Sequence, residues 1–172
     1  MDCEKFSLDF YRNGTAVALG CFDGLHIGHK AVIDTAVNFA KTNSLKSVVF
    51  QIKRTSDTLL TCAETADILR LWDVDKIVPQ LLNAEFKNLS CEEFVENYLR
   101  NFLCAKFVSI GYNFRFGKDA SGDAETLQKL CNRCGIKAYI TSAVCVDGDI
   151  VSSTKIRELL NCGENVSRYL GR

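Results

Sequence analysis

Residues 15–29 read TAVALGCFDGLHIGH, and this stretch carries the clearest local signals of secondary structure in the chain. Its first six residues are an apolar run typical of a buried β-strand, and two glycines then permit tight turns. Apolar side chains follow at helical spacing at Ile33, Ala36, Val37 and Ala40. The sequence therefore predicts a strand, a loop and a helix in succession.

The same alternation recurs along the rest of the chain. Runs rich in β-branched and aromatic residues predict four further strands, at residues 47–52, 76–82, 106–111 and 137–146. Helices are predicted after the capping boxes Thr61–Glu64 and Ser90–Glu93, over Ala124–Cys134, and from near Ser153. Strands that alternate with helices favour right-handed crossovers. We therefore predict an α/β fold with a Rossmann-like, doubly wound, five-stranded parallel sheet and helices on both faces.

Length and composition limit the possible functions. The 172 residues are predicted to form a single domain, residues 1–172. The 21 basic and 21 acidic side chains cancel, so the chain lacks the positive field that non-specific nucleic-acid binding requires. No basic start precedes an apolar run, and no run of about 18 apolar residues occurs. Neither export nor membrane insertion is expected, and the protein is predicted to be cytoplasmic.

The chain contains nine cysteines. Because their number is odd and most lie within apolar patterns, we interpret them as reduced, mostly small core residues. Cys131 and Cys134 have the spacing of a zinc-binding pair, but a second pair or a histidine partner is missing. They are predicted to lie at the end of a helix without a metal.

The loop at residues 21–29 contains both histidines of the chain, His26 and His29, on either side of Gly28. Gly24 and Gly28 allow a ligand to approach the backbone closely, and the N-terminus of the following helix attracts anions. Two imidazoles on one turn could donate hydrogen bonds to phosphate oxygens. The alternative is a pair of surface histidines beside a turn.

Two further loops follow predicted strands. Residues 111–117 combine Asn113 and Arg115 with two aromatic rings, which suit a planar ligand and a phosphate, although such a loop is often only a packed corner. Residues 151–157 place hydroxyl groups at a helix N-terminus, beside Lys155 and Arg157. Basic side chains oppose the helix dipole there, which indicates an anionic partner; the alternative is a capped surface helix with solvated charges. All three loops should meet at one sheet edge as a polyphosphate site.

The motifs GCFDGLHIGH, GYNFRFGKDASGD and VSSTKIRELL, followed by YLGR, resemble the FMN adenylyltransferase module of bacterial bifunctional riboflavin kinase/FAD synthetases. This family belongs to the HxGH nucleotidylyltransferase superfamily. The resemblance implies a fold of nucleotidylyltransferase type and the last step of FAD biosynthesis, FMN + ATP → FAD + pyrophosphate, with Mg²⁺ as cofactor. The metal ligands stay unassigned.

The resemblance also implies roles for individual residues. The residues it assigns to catalysis are His26, His29, Asn113 and Arg157. The residues predicted to bind ATP and FMN, from the composition of the three loops or from the resemblance, are Gly20, Cys21, Phe22, Asp23, Gly24, Gly28, Gly111, Asn113, Phe114, Arg115, Phe116, Ser152, Ser153, Thr154 and Arg157. Within this set the two histidines would stabilise the pentacoordinate phosphorus. Ser153, Thr154 and Arg157 would hold the departing pyrophosphate.

The sequence departs from the family in two places. Bifunctional members continue into a riboflavin kinase domain, whereas this chain stops at Arg172. It is therefore expected to be either a truncated domain or an adenylyltransferase that receives FMN from a separate riboflavin kinase. The family also has a proline-histidine-proline segment shortly after the second strand, where this chain has QIKRTSD at residues 51–57. Flavin binding is the property that this sequence difference is expected to affect most.

Two other functions stay open. One is nucleotidyl transfer to another phosphorylated acceptor, such as a phosphopantetheine, a nicotinate nucleotide or a polyol phosphate. The other is a non-catalytic flavin or nucleotide sensor. The Asn113–Phe116 loop argues against the first and the intact histidine pair against the second.

Overall fold

The computed structural model describes residues 8–53 and 58–171. The strands are β1 (Thr15–Gly20), β2 (Lys46–Lys53), β3 (Lys76–Leu81), β4 (Ala105–Gly111), β5 (Lys137–Thr141), β6 (Cys145–Val146) and β7 (Asp149–Ile150). The α-helices are α1 (Leu8–Tyr11), α2 (Ile27–Thr42), α3 (Cys62–Leu71), α4 (Ala84–Lys87), α5 (Cys91–Glu93), α6 (Ala124–Arg133) and α7 (Ser153–Asn161). A π-helix (Phe94–Phe102) continues α5, and 3₁₀ turns occur at Lys118–Ala120 and Ser167–Tyr169. The family-divergent residues 54–57 and Arg172 lie outside the described residues.

Five strands form one parallel sheet in the order β3-β2-β1-β4-β5. Helices α2 and α3 cover one face, where α2 buries Val32, Ile33, Ala36 and Val37 against β1 and β2. The π-helix and α6 cover the other face through residues such as Leu99. The predicted doubly wound α/β fold is confirmed.

The predicted strand at residues 137–146 is wrong in its second half. β5 ends at Thr141, and Cys145–Val146 pairs instead with Asp149–Ile150 in a separate antiparallel hairpin. Asp147 and Gly148 join the two strands with φ of 52° and 87°. An Asp-Gly pair in the left-handed region is the preferred two-residue hairpin turn, so this signal outweighs the apolar run.

Helix capping follows the sequence closely. Both predicted capping boxes form, Thr61 with Glu64 and Ser90 with Glu93. The last helix begins at the predicted position, but its N-cap is Ser152, whose Oγ accepts a hydrogen bond from the Lys155 N–H. Ser153 is therefore available for a different contact.

The eight cysteines in the described part of the chain are all free. Among these eight, only Cys131 is fully buried, and burial raises the pKa of its thiol to about 12. The interpretation of the cysteines as mostly core residues was wrong, because Cys62, Cys145 and Cys162 are exposed. Across residues 8–53 and 58–171, we find no helix with both the length and the apolar character needed to cross a bilayer.

The sheet order reverses direction between β1 and β4. Strands β2 and β3 lie on one side of β1, and β4 and β5 lie on the other. In open parallel sheets a crevice forms beyond the carboxyl ends of the strands at such a switch point. The loops after β1 and β4 both begin there.

Candidate active site

A cavity of about 1270 Å³ opens at the carboxyl edge of the sheet. Every residue assigned above to catalysis or binding lines it: Gly20, Cys21, Phe22, Asp23, Gly24, His26, Gly28, His29, Gly111, Asn113, Phe114, Arg115, Phe116, Ser152, Ser153, Thr154 and Arg157. The structure thus brings the three loops together. The roles of the individual residues stay predictions.

The loop between β1 and α2 has an unusual backbone. Phe22, Gly24 and Leu25 all have positive φ, at 52°, 81° and 44°. For Phe22 and Leu25 this left-handed conformation costs about 1–2 kcal/mol each. Both side chains are buried, at 2% and 0% exposure, so their packing offsets the cost. The loop is therefore held in a strained shape by the core beneath it.

His26 and His29 form one compact unit at the start of α2. His26 is the N-cap, and its Nδ1 accepts a hydrogen bond of 3.2 Å from the backbone N–H of His29. The two rings stack with centroids 3.6 Å apart, and Phe22 meets His29 edge-on at 5.4 Å. Gly28 lies beside the His26 ring, since a Cβ there would come within 3.1 Å of two ring atoms. The glycine between the histidines therefore leaves room for the stacked rings.

Both imidazoles are neutral near neutral pH. Burial lowers the pKa of His26 to about 4, although the carboxylate of Asp23 acts in the opposite direction. Burial, followed by the proximity of His26, holds the pKa of His29 well below its ordinary value. Because Nδ1 of His26 is an acceptor, the proton of this neutral ring is assigned to Nε2. His26 is thus set to donate through Nε2.

Asp23 joins three segments of the chain. One carboxylate oxygen accepts a hydrogen bond of 2.8 Å from the Leu59 N–H, and the other pairs with the guanidinium of Arg157. Its backbone carbonyl accepts a hydrogen bond of 2.7 Å from Oγ of Ser153. Side chains at positions 23 and 153 therefore fasten the histidine loop to the start of α7 and to the segment after β2.

The cations near the start of α7 have partners within the protein. Lys155 pairs with Asp149 at 2.9 Å, and Arg157 pairs with Asp23. These two cations therefore do not by themselves indicate an anionic ligand, because neighbouring carboxylates offset their conflict with the helix dipole. Thr154 is exposed at the cavity and keeps its predicted position.

The loop after β4 is more open. Asn113 and Arg115 are exposed, whereas Phe116 is buried at 7% exposure and packs against Phe94, with centroids 5.5 Å apart. Phe114 is partly buried and stacks on Phe116 at 5.9 Å. The packed-corner alternative thus describes Phe116, while the polar side chains of the loop face solvent.

Part of the cavity wall was not predicted from the sequence. Its unassigned lining residues include Gln51 and Lys53 at the end of β2, and Thr141 and Ser142 at the end of β5. Gln51 is buried and its amide donates to the carbonyl of Cys21 at 3.4 Å. The signal was available, because every strand of a parallel sheet carries its carboxyl end to the same edge.

Comparison with known proteins identifies the family. A family model described as FAD synthetase matches residues 9–155. A bifunctional riboflavin kinase/FMN adenylyltransferase from Buchnera aphidicola is 30% identical, over 93% of this chain and 55% of its own length. A putative bifunctional riboflavin kinase/FMN adenylyltransferase from Geobacillus thermodenitrificans is 31% identical, over 88% of this chain and 85% of its own.

Among solved structures, the chain is similar to a crystal structure titled macrolide-efflux protein, from Streptococcus pneumoniae. The TM-score is 0.75 at 24% identity, over 85% of this chain and 51% of the other. This likeness bears on the fold alone. The chain spans about half the length of the Buchnera relative, and the family match itself covers most of the chain. The protein therefore belongs to the FAD synthetase family.

Proposed function

We propose that this protein transfers the adenylyl group of ATP to the phosphate of FMN, giving FAD and pyrophosphate. The observation that carries the proposal is the meeting of three strand-to-helix loops in one cavity of about 1270 Å³. Single small-molecule sites measure roughly 300–1,000 Å³, so this cavity has room for two substrates. Membership of the FAD synthetase family supports the same reaction.

The chemistry requires little covalent help from the protein. A phosphate oxygen of FMN attacks the α-phosphorus of ATP, and the bond from that phosphorus to the pyrophosphate oxygen breaks. The FMN phosphate is already an anion at neutral pH, so no side chain has to remove a proton from it. Alignment of the two substrates and stabilisation of charge are what the site must supply.

The histidine pair is suited to the stabilisation of charge. A neutral His26 donates through Nε2, and the rings of His26 and His29 are fixed by stacking and by the N-cap hydrogen bond. Donors that are oriented before the reaction lower the barrier without reorganising during it. The start of α2 adds the backbone N–H groups and the positive end of the helix dipole.

Arg157 is proposed to contact the leaving pyrophosphate together with Ser153 and Thr154. Its pairing with Asp23 does not prevent this, because a guanidinium has five N–H donors in one plane. The ion pair instead orients the side chain before a phosphate arrives. Asn113 and Arg115, which are exposed, are proposed to contact FMN at the opposite wall.

Mg²⁺ is proposed to enter with the nucleotide. Within residues 8–53 and 58–171, no three or more His, Cys, Asp and Glu side chains form a cluster able to hold a metal ion. Mg²⁺ commonly keeps several waters and binds through substrate phosphates, and we propose that binding mode here. When bound, the ion offsets repulsion between the two substrates.

We further propose that residues 1–172 act as one adenylyltransferase domain in the cytoplasm, with FMN supplied by a riboflavin kinase. Free cysteines are typical of a reducing compartment, and eight are found in the described segments. Flavin binding is proposed to use Gln51 and Lys53, at the end of β2. Both residues line the cavity.

The decisive experiment is incubation of the purified protein with FMN, ATP and Mg²⁺, followed by chromatographic detection of FAD. FAD should accumulate in step with pyrophosphate. Binding of FMN and ATP by calorimetry without turnover would instead indicate a non-catalytic module. Transfer of radiolabelled AMP to a phosphopantetheine, a nicotinate nucleotide or a polyol phosphate, but not to FMN, would assign a different acceptor.

A further inference from the structure

The residues after α7 return to the underside of the histidine loop. Leu170 forms an isolated antiparallel bridge with His26, and the Gly171 N–H donates a hydrogen bond of 3.2 Å to the carbonyl of Leu25. These two backbone contacts join positions that are 144 and 146 residues apart in the chain. The segment Val166–Gly171, here called the C-terminal strap, thus lies directly against the loop that carries the catalytic histidines.

The strap is anchored at a specific place. Tyr169 is buried at 3% exposure among Val151 and Ile156, which belong to the region where α7 begins. Leu170 packs against the same cluster. One anchored segment therefore contacts both the histidine loop and α7.

Position 171 has no space for a side chain. A Cβ there would lie 2.7 Å from Cζ2 and 3.0 Å from Cη2 of Trp72, and 3.2 Å from the carbonyl oxygen of Leu25. Trp72 is itself buried, at the end of α3. The close fit explains how the strap can approach the loop closely enough for a backbone hydrogen bond.

The contact falls on the strained part of the loop. Leu25 is a buried residue with φ of 44°, and its carbonyl is the group that Gly171 holds. A left-handed leucine persists only where its surroundings over-determine it. The next residue is His26, so a change at Leu25 rotates the backbone from which the imidazole projects.

We propose that the C-terminal strap is a positioning element of the active site, with Gly171 holding Leu25 so that His26 keeps its N-cap geometry and its stack on His29. The strap lies beyond residues 9–155, to which the family match extends. For its activity readout, the inference rests on the function proposed above. Its spectroscopic readout stands independently of the substrate.

The test uses Gly171→Ala, because the new methyl group must displace the strap or Trp72. The chain has only two histidines, so ¹⁵N-histidine NMR reports on the active-site imidazoles alone. We expect shifted His26 and His29 resonances and a fall in kcat of at least about tenfold, greater than any rise in KM for ATP. Addition of Trp72→Phe to this variant removes the colliding ring atoms. It should partly restore both the histidine resonances and kcat.

Gly163→Ala is the matched control. Gly163 lies between α7 and the strap with φ of 73°, and a Cβ there meets no atom within 4 Å. This variant carries backbone strain but should leave the histidine resonances and kcat unchanged. If Gly171→Ala is too unstable to assay, Leu170→Ala removes strap packing without a clash and should change the same readouts less strongly.

Unchanged histidine resonances and unchanged kcat in a folded Gly171→Ala protein would overturn the proposal. So would equal losses of activity in Gly171→Ala and Gly163→Ala at equal losses of melting temperature, because that result describes general destabilisation. Shifted histidine resonances without FAD formation by the wild-type protein would preserve the positioning role and refute the proposed reaction.

Discussion

The loop after β1 and the loop after β4 line the same cavity but are built differently. In the first, Phe22 and Leu25 are buried in left-handed conformations, and Asp23 is held by hydrogen bonds from other segments. In the second, Asn113 and Arg115 are exposed and line the cavity. One wall is fixed before any ligand binds, whereas the polar groups of the other can adjust.

This difference suggests that the two loops affect different kinetic parameters. Groups oriented in advance contribute most to the transition state, because they need no reorganisation when charge develops. Groups that become ordered on binding contribute mainly to the affinity for the ground state, and part of that contribution is lost as conformational entropy. We therefore expect the β1 loop to control kcat and the β4 loop to control KM.

A substitution of His29, which follows the loop after β1, should change turnover the most. His29→Ala should lower kcat about 100- to 1000-fold, the usual loss for one oriented donor, with a far smaller effect on melting temperature. Steady-state FAD formation measures the first quantity and thermal unfolding the second. Asn38→Ala, an exposed change on the same helix, is the control. Undiminished FAD formation by His29→Ala would remove the histidines from the mechanism.

The next effect is a loss in the free energy of unfolding at low pH, caused by His26 in the β1 loop. The pKa of folded His26 is about 4, below its ordinary value of 6.5 in the unfolded chain, so the unfolded state gains a proton first on acidification. The contribution of His26 to the free energy of unfolding is therefore complete above about pH 6.5 and is lost as the pH falls toward about 4. The loss between about pH 7 and about pH 5 should be about 2 kcal/mol.

Urea unfolding of the wild type and His26→Asn at both pH values measures that loss. Asparagine retains an N-cap acceptor and does not titrate, so the variant should lose less stability on acidification. An identical pH dependence of the two proteins would mean that His26 is not held neutral by burial.

A comparable effect is expected at Asp23, which links the β1 loop to its neighbours. Asp23→Ala removes the acceptor of the Leu59 N–H and the partner of Arg157, and should lower the free energy of unfolding by about 2 kcal/mol. Asp23→Asn keeps one amide oxygen as an acceptor and should lose less. Chemical denaturation ranks the two variants, and the opposite order would contradict the role assigned to the carboxylate.

The smallest effect is expected on the β4 side. Asn113→Ala and Arg115→Ala should each raise KM for FMN about tenfold, consistent with the loss of one hydrogen bond to a charged group, and leave melting temperature nearly unchanged. Lys118→Ala, an exposed substitution that follows Gly117, is the control. A fall in kcat as large as that of His29→Ala would end the distinction between the two loops.

Much of this architecture was predictable because its causes are local. Alternating apolar runs and helical spacings fixed the order of strands and helices, and the capping boxes at Thr61 and Ser90 located two helix starts. The predicted strand at residues 137–146 was wrong after Thr141, where the Asp147-Gly148 turn competed with a run of apolar residues. Local signals of two kinds overlapped there, and the turn prevailed.

Sequence patterns were enough to predict the strand-loop-helix unit, the meeting of three loops at one edge and the residue types that line this edge, since periodicity and chain direction follow from neighbouring residues. The packing of the whole chain was needed to establish that Asp23 binds Arg157, that burial lowers the pKa of both imidazoles, and that Gly171 lies against Leu25. These features depend on contacts between residues more than a hundred positions apart or on burial. Both arise only when the whole chain packs, so no local pattern encodes them.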